Sequence, residues 1–524
     1  MLHITEGTKM ATCVSPLVGA VDQGTSSSRF LIFSSKDSKV VTYHQVEVQR
    51  KCPHEGWVEQ DPVEILESVK TCIAKAVDNL KALNISHTDI KCIGITSQRE
   101  TTIVWDKFTG QPLYNAIVWS DMRTGVTIEN LIAKTTEKSQ DYTRQFCGAP
   151  LSSDFSAIHL NWLLDNCPAV VKAIDEGRCL FGNVDSWLLW NLTGGKDGGK
   201  HITDVSFASK TLLLNIHELK WDDHLCQFFG VDKNILPEVR SSAEVYGHIY
   251  DGPLTGVPVS GILGDQQAAM VGHSHFKPGQ TKITYGTALC LSMNIGQQAI
   301  LSKSGLLTCV AYQLGPNKPA VYAFEGASLT AGSCIRWLRD NVGIIQSAEE
   351  IEELAMKVDG SHGCYFVPAF SGLYCPYFQN DARGIICGIS QHTTKEHIAR
   401  AALEAICFQT KEVVDAANAD IGMDMQCVQV DGGMTANNLL MKLLADIIGT
   451  TVERPTMQEA TALGVAMAAG YAIGIWDLDV DNRNDKIDVF KPTISEKERA
   501  KKFKRWNEAV SHSMHWIHSD EQDE

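Results

Sequence analysis

The stretch Leu17-Val18-Gly19-Ala20-Val21-Asp22-Gln23-Gly24-Thr25-Ser26-Ser27-Ser28-Arg29-Phe30-Leu31-Ile32-Phe33 decides the fold. Two apolar runs flank a polar segment, which predicts a β-hairpin with its chemistry in the turn. The turn from Asp22 to Arg29 offers a glycine, four hydroxyls, backbone N–H groups and one guanidinium. Such a turn can cradle a polyphosphate. A plain hydrophilic hairpin turn accounts for the same residues, and on this segment alone the two readings stand level. Asp22, at the strand end, suits a hydrated magnesium ion, which uses one or two carboxylates besides phosphate oxygens.

Outward from the hairpin, strands and helices alternate. Asp61 has the character of an N-cap, with Pro62 at the first helical position and Glu64 three residues on. Val63, Leu66, Val69, Ile73, Val77 and Leu80 then follow at helical spacing. The apolar run Cys92-Ile93-Gly94-Ile95 ends at Ser97-Gln98-Arg99-Glu100, where open α/β sheets place ligand groups. The second half repeats the design. Pro258 to Leu263 predicts a strand, Lys282-Ile283-Thr284 enters a new turn at Tyr285-Gly286-Thr287, and Val428-Gln429-Val430 leads into Asp431-Gly432-Gly433. The expectation is a duplicated α/β fold with a cleft between the copies: a leader over 1–16, an N-terminal domain over 17–272, a C-terminal domain over 273–511 and an acidic tail over 512–524.

Three further segments resemble ligand anchors, each with an ordinary alternative. Asp265 in Gly264-Asp265-Gln266-Gln267 can take the proton of an attacking hydroxyl, or simply cap a helix. Tyr285-Gly286-Thr287-Ala288 mirrors the first turn, with Thr287 able to bond a phosphate oxygen. Asp431 to Asn438 sets two glycines where backbone can approach a flat ring. By contrast, Gly194 to Lys200 only imitates a P-loop: His201 replaces the required hydroxyl residue, and the helix-like Trp187-Leu188-Leu189-Trp190 precedes it.

The 524 residues, 44% hydrophobic and 21% charged, exceed what one core usually supports. A formal charge of -16 without a basic run excludes nucleic acid and anionic membranes as partners. No apolar run reaches a membrane span, and the start lacks the features of a signal peptide, so a cytoplasmic protein is expected. The 16 cysteines lack C-x-x-C spacing and read as free thiols. His512, His515 and His518 drift around a helix and read as a solvated helix end.

In order, DQGTSSSR (22–29), SQRETTIVWDKFTGQPLYNAIVWSD (97–121), GILGDQQAAMVGH (261–273), YFVPAFSGLY (365–374), QVDGGMTANNLLM (429–441) and EATALGVAMAAG (459–470) resemble the glycerol kinase branch of the FGGY carbohydrate kinases. The likeness runs from about Leu17 to Trp476. It implies two ribonuclease-H-like, actin-like domains closing on MgATP and a small polyol, and a homodimer or tetramer. By position it implies Asp265 as general base, and Arg99, Glu100 and Trp119 on the polyol, with Gln266 supporting Arg99 and Glu100. It places the nucleotide on Thr25, Ser26, Ser27, Arg29, Thr287, Gly332, Arg336, Gly433 and Asn437, and magnesium near Asp22 and Asp265. Phosphoryl transfer then needs positioning and charge stabilisation, with no covalent enzyme intermediate.

The departures from the family pattern cluster at the polyol. Asp154 replaces a tyrosine, Cys290 replaces an aromatic wall, Ala288 replaces a glycine, Phe207 replaces an asparagine and Met122 replaces an arginine. Asp154 is expected to raise nearby carboxyl pKa values. Ala288 costs about 1–2 kcal/mol if its turn needs positive φ. Besides glycerol phosphorylation, the sequence therefore accommodates a kinase for another small polyol, or a weakly catalytic ATP-binding paralog acting through protein contacts.

Overall fold

In the computed structural model, which describes residues 16–379, 381–456, 459–478 and 486–517, the opening segment forms the expected hairpin. Leu17–Gln23 (β1) pairs antiparallel with Ser27–Ser34 (β2), which pairs in turn with Val40–Glu47 (β3). On the other side of β1 lie Ile90–Ser97 (β4) and Pro258–Gly264 (β6), both parallel, with Ala243–His248 (β5) closing the edge. The sheet order is β5-β6-β4-β1-β2-β3. Between β3 and β4 runs Pro62–Ala82 (α1), whose N-cap Asp61 accepts from Val63 N as its sequence predicts. Its buried residues Ile65, Val69, Ile73, Ala76 and Leu80 recur every three or four positions and face this sheet's core.

The same topology recurs after Asp265–Gly272 (α2). Thr281–Tyr285 (β7), Leu289–Gly296 (β8), Leu307–Tyr312 (β9) and Val321–Ser328 (β10) make the antiparallel part. Cys427–Asp431 (β11) and Thr451–Pro455 (β12) add in parallel, and Ile487–Phe490 (β13) closes the edge, giving β9-β10-β8-β7-β11-β12-β13. Lys395–Ile421 (α3), Asn438–Ile448 (α4) and Glu496–Ser513 (α6) contribute to its core. Two sheets, each with antiparallel strands on one side of its first strand and parallel strands on the other, form the ribonuclease-H-like duplication; in the second sheet β9 takes the edge and β10 inserts between it and β8. Parallel strands need a crossover, so the strand ends that carry turns gather at one rim of each sheet.

Ala460–Ala472 (α5) ties the two halves together. Its sequence ATALGVAMAAGYA is buried on almost every face, and its small residues allow backbone contact. A Cβ on Gly464 would lie 1.7 Å from the Ala268 carbonyl oxygen of α2, and one on Gly272 would lie 2.0 Å from the oxygen of Ala460. On another side, Gly94 of β4 and Gly261 of β6 leave room for the α5 backbone at Val465 and Ala469. Along the chain, the last strand of the first sheet ends at Gly264 and the first strand of the second begins at Thr281. In space, α5 comes from the second half and packs on the first sheet.

The near-P-loop is a tight connection: Gly199 packs against the Trp190 carbonyl, after the helix Val184–Leu192. The described cysteines are free and most are buried. His515 pairs with Asp381 at 2.8 Å. Cys13, His518 and residues 518–524 of the tail, with leader residues 1–15, lie outside the described residues. Among the described residues, no helix is long and apolar enough to cross a membrane.

Gly464→Ala puts a methyl into backbone that cannot yield, so we expect a loss of about 3 kcal/mol, seen as a lowered thermal unfolding midpoint. Gly125→Ala, at an open helical position with nothing within 4 Å of the added carbon, should instead be neutral or stabilising by up to about 1 kcal/mol. Equal midpoints for the two variants would refute the role given to α5 packing.

Candidate active site

Asp265 is the first residue of α2, directly after β6. The N-cap position belongs to Gly264, so Asp265 is not the capping residue that the alternative sequence reading allowed. Its Oδ1 accepts from its neighbour's backbone, Gln266 N, at 2.7 Å and lies 3.0 Å from Arg99 Nε. Arg99 sits just beyond the end of β4, and its Nη1 reaches Glu325 Oε1 of β10 at 2.5 Å. Glu325 also holds Lys210 Nζ at 3.0 Å, and Lys210 reaches Glu100 at 3.1 Å. Two cations and two carboxylates are thus buried together, with Asp265, 34% exposed, at the edge.

Burial alone would raise the Glu325 carboxyl, but Arg99 and Lys210 outweigh it and hold the pKa down to about 2. Lys210 is likewise held above its ordinary range, since Glu325 and Glu100 overcome its burial. Glu100 goes the other way. Burial pushes its carboxyl up to about 7, opposed by Arg99 and Lys210 and reinforced by Asp154 and Glu325. Its backbone lies in the left-handed region, φ 62°, which is unfavourable for a residue with a Cβ. Hydroxyls of Ser156 and Thr102 donate to the Glu100 carbonyl at 3.0 and 3.1 Å and hold that turn.

The phosphate-type turn has its own frame. Gly24 N donates to Ser27 O at 2.8 Å, Gln60 Nε2 donates to Thr25 O at 2.9 Å, and Val48 N donates to Ser26 O at 3.0 Å. Trp119 donates its indole N–H to Thr25 Oγ1 at 3.0 Å, so the residue expected along the polyol also touches this turn. Arg29 pairs with Asp22 and, at 2.7 Å, with Glu459 just ahead of α5. Burial raises the Asp22 carboxyl above its usual range, with Glu459 and Asp265 adding repulsion and Arg29 opposing it.

In the second half of the chain, Gly332 N donates to Gly286 O at 3.0 Å, and Arg336 Nη2 donates to Thr287 Oγ1 at 3.4 Å. A Cβ on Gly432, at φ 92°, would lie 2.4 Å from the Tyr285 oxygen, whereas Gly433 faces open space. Asn437 caps α4, its side chain accepting from Leu440 N at 2.8 Å. The turn around Ala288 uses no positive φ at that residue, so the conditional strain does not arise.

Several expectations shift in detail. Gln266 does not touch Arg99: its Oε1 accepts from Lys282 Nζ at 2.7 Å and from Thr284 Oγ1 at 3.4 Å. Its neighbour Gln267 takes the expected place, accepting from Arg99 at 3.2 Å and donating to Glu325 at 3.2 Å. A helical step of one residue turns the side chain by about 100°, which separates the two glutamines. Asp154 accepts from Ser152 Oγ and is close enough to Glu100 and Tyr374 to raise both groups. Cys290 on β8 sits close to Glu325 and Arg99, and its thiol is pushed up to about 11 by burial and by Glu325. Phe207 belongs to the core, and Met122 is exposed.

Sequence reasoning missed Lys210, Glu325, Gln267, Lys282 and Glu459. A signal was present for two of them: Lys282 and Glu325 interrupt apolar strands, where a charge stays only if paired. Lys282, with the His273 hydrogen bond, also outweighs burial at Asp431 and holds its carboxyl well below the usual range.

Comparison with known proteins matches this architecture. Residues 17–272 match the N-terminal domain of the FGGY family of carbohydrate kinases, and residues 281–473 match its C-terminal domain. A probable glycerol kinase of Caenorhabditis elegans is 48% identical over 505 residues, covering 95% of this chain and 99% of the relative. One of Dictyostelium discoideum is 46% identical over 542 residues, covering 96% and 99%. The crystal structure of Plasmodium falciparum glycerol kinase with ADP superposes with a TM-score of 0.88 at 36% identity, covering 95% of this chain and 98% of that one. With its two domains in order and relatives matched over nearly their full length, this chain belongs to the FGGY family of carbohydrate kinases.

Proposed function

We propose that the protein phosphorylates glycerol with ATP, yielding sn-glycerol 3-phosphate and ADP, with Asp265 as general base. The observation that carries this reading is the setting of Asp265. Arg99 Nε and the Gln266 N–H both engage Oδ1, which leaves Oδ2 to accept a hydroxyl proton. The freed alkoxide electron pair attacks the γ-phosphorus in line, the bond to the β-phosphate oxygen breaks, and ADP leaves. Arg99 and Glu100 bind the polyol hydroxyls, while Trp119, Asp154 and Cys290 border the carbon chain. Gln267, rather than Gln266, supports Arg99.

Thr25, Ser26 and Ser27 receive phosphate oxygens, and Thr287, Gly332, Arg336, Gly433 and Asn437 form the nucleotide side. The donor set fits a divalent cation: Asp22, Asp265 and Glu459 lie near one another with Arg29 as counter-charge, and the Asp22 carboxyl is raised by burial and repulsion. Asp22 and Asp265 would hold magnesium through water. When bound, the ion neutralises charge on the phosphate oxygens. The expected cytoplasmic setting accords with this substrate pair. An ADP-release assay over a panel of small polyols tests the reading: glycerol should be turned over efficiently, and a flat response to glycerol beside rapid use of another polyol would replace it.

Asp265→Asn keeps the shape but removes the base. Turnover should fall by about 10²–10⁴-fold while calorimetry with a non-hydrolysable ATP analogue shows nucleotide binding retained. Undiminished turnover would remove Asp265 from the chemistry.

A second expectation follows from Glu100, whose carboxyl is raised to about 7. As pH falls through about 7 it takes up a proton and ceases to be a charged acceptor for a polyol hydroxyl, so glycerol affinity should drop. In Asp154→Asn a neighbouring negative charge is gone, the Glu100 pKa moves down, and the drop should move to lower pH. Glycerol titrations by calorimetry at several pH values read this directly. An unmoved profile in Asp154→Asn would show that the two carboxylates do not interact.

A further inference from the structure

We propose that His362, His392 and His397 form a binding site for a zinc-type divalent transition metal, away from the cleft. A ligand nitrogen from each ring lies within 4.8 Å of those of the other two, and the ring centroids are 5.1 to 5.7 Å apart. The sequence does not announce it, because the three residues sit in separate segments. The fold brings them together by pairing Tyr365–Val367 antiparallel with Ile385–Cys387. Beyond that pair Gly388, at φ 72°, lets the two loops touch backbone to backbone: a Cβ there would lie 2.0 Å from the Gly363 oxygen. His362 stands one residue before Gly363, His392 four residues after Gly388, and His397 in the first turn of α3. Ser361 Oγ donates to Glu404 of α3 at 2.9 Å and holds the first loop in place.

The donor chemistry favours a metal of the zinc class. Three imidazoles suit zinc, copper or nickel and suit magnesium or calcium poorly. His362 Nε2 donates to Asp359 Oδ1 at 2.6 Å, which fixes the tautomer and leaves Nδ1 with its lone pair. A carboxylate behind a ligating histidine is the usual outer support of such sites. His397 Nδ1 accepts from the Thr394 backbone N–H at 3.1 Å, one half of the capping box that starts α3, and lies 3.0 Å from Thr394 Oγ1. A metal on Nε2 therefore needs the ring proton moved to Nδ1, which gives up the bond from the Thr394 backbone N–H and donates to the Thr394 hydroxyl instead. His397 is buried and anchors the site, while His362 and His392 are exposed. Zinc–nitrogen bonds of about 2.0–2.1 Å put tetrahedral ligands about 3.4 Å apart, so closing the site asks for a shift of about 1 Å. Rotation of the two exposed rings supplies it, and water completes the coordination. The site is separate from the chemistry: Gln409 of α3, which accepts from Ser328 at the end of β10, the strand that carries Glu325, lies about 18 Å further along the helix axis.

The bound ion clamps the 359–364 loop to the start of α3, and binding to the folded state alone stabilises it. The test uses the full-length protein, freed of metal with a chelator and titrated with Co²⁺ by absorption and with Zn²⁺ by calorimetry. Wild type should bind one equivalent of Co²⁺ with the ligand-field bands of nitrogen and oxygen ligation and no thiolate charge-transfer band. His392→Ala should lose that equivalent, and Asp359→Asn should bind about 10- to 100-fold more weakly. Zinc should raise the thermal midpoint of wild type and not that of His392→Ala. Because His392 is an exposed loop residue, metal-free turnover of the variant should match wild type and certify its fold. Binding in His392→Ala as tight as in wild type, absence of the one-equivalent spectrum, or a thiolate band that persists in the variant would each overturn the proposal.

Discussion

Glu325 is held between Arg99 and Lys210, and the arrangement of the cleft depends on that contact. Glu325 comes from the second sheet and both cations come from the first half of the chain. Two sheets that are separate in sequence are therefore joined by charges that neither could bury alone. An isolated carboxylate in such a place would take up a proton, because desolvation disfavours its charge. Here the two cations outweigh burial, so Glu325 stays ionised and Arg99 keeps one end committed. Its other nitrogen is then left at the distance that orients Asp265. A buried ion pair of this kind adds little net stability compared with an apolar pair. Its contribution is geometric: it sets the direction in which the Asp265 carboxylate, the proposed base, points.

The helix from Ala460 to Ala472 does the corresponding work without charge. Gly464 lets it meet α2 at van der Waals contact, and Gly94 and Gly261 let it lie on the first sheet. Just ahead of it, Glu459 pairs with Arg29 at the end of the phosphate-type turn. The same helix thus joins close packing between the halves to the charge balance around Asp22. Any motion that opens or closes the cleft must either preserve this packing or repack it as a unit, because interiors at this density deform little.

On the side proposed for the polyol, the departures from the family pattern are coherent. Asp154 adds a carboxylate beside Glu100, and the surrounding cations Arg99 and Lys210 keep the cluster from being purely repulsive. Cys290 is smaller than an aromatic residue and packs near the same charges. Phe207 has moved into the core, and Ala288 sits in a turn that accepts it. Arg99 and Asp265 stay paired at 3.0 Å while the differing residues lie around them, so under the proposed function the differences bear on how glycerol is gripped rather than on how a phosphoryl group is moved.

The sequence by itself determined much of this. The alternation of apolar runs and polar turns marked the opening hairpin, the helix after Asp61 and the repeat of the design in the second half, because those signals are local. The motifs also pointed to Asp22, Arg99, Glu100 and Asp265 as residues at strand ends. Only the tertiary structure decided the partners. Gln267 replaces Gln266 beside Arg99 because one helical step redirects a side chain. Lys210 and Glu325 meet across 115 residues of chain, and the three histidines at 362, 392 and 397 meet through a backbone contact between two glycines. Local pattern specifies which face of an element is apolar. Which charges share a buried space depends on how those faces are stacked, and that is a property of the assembled fold.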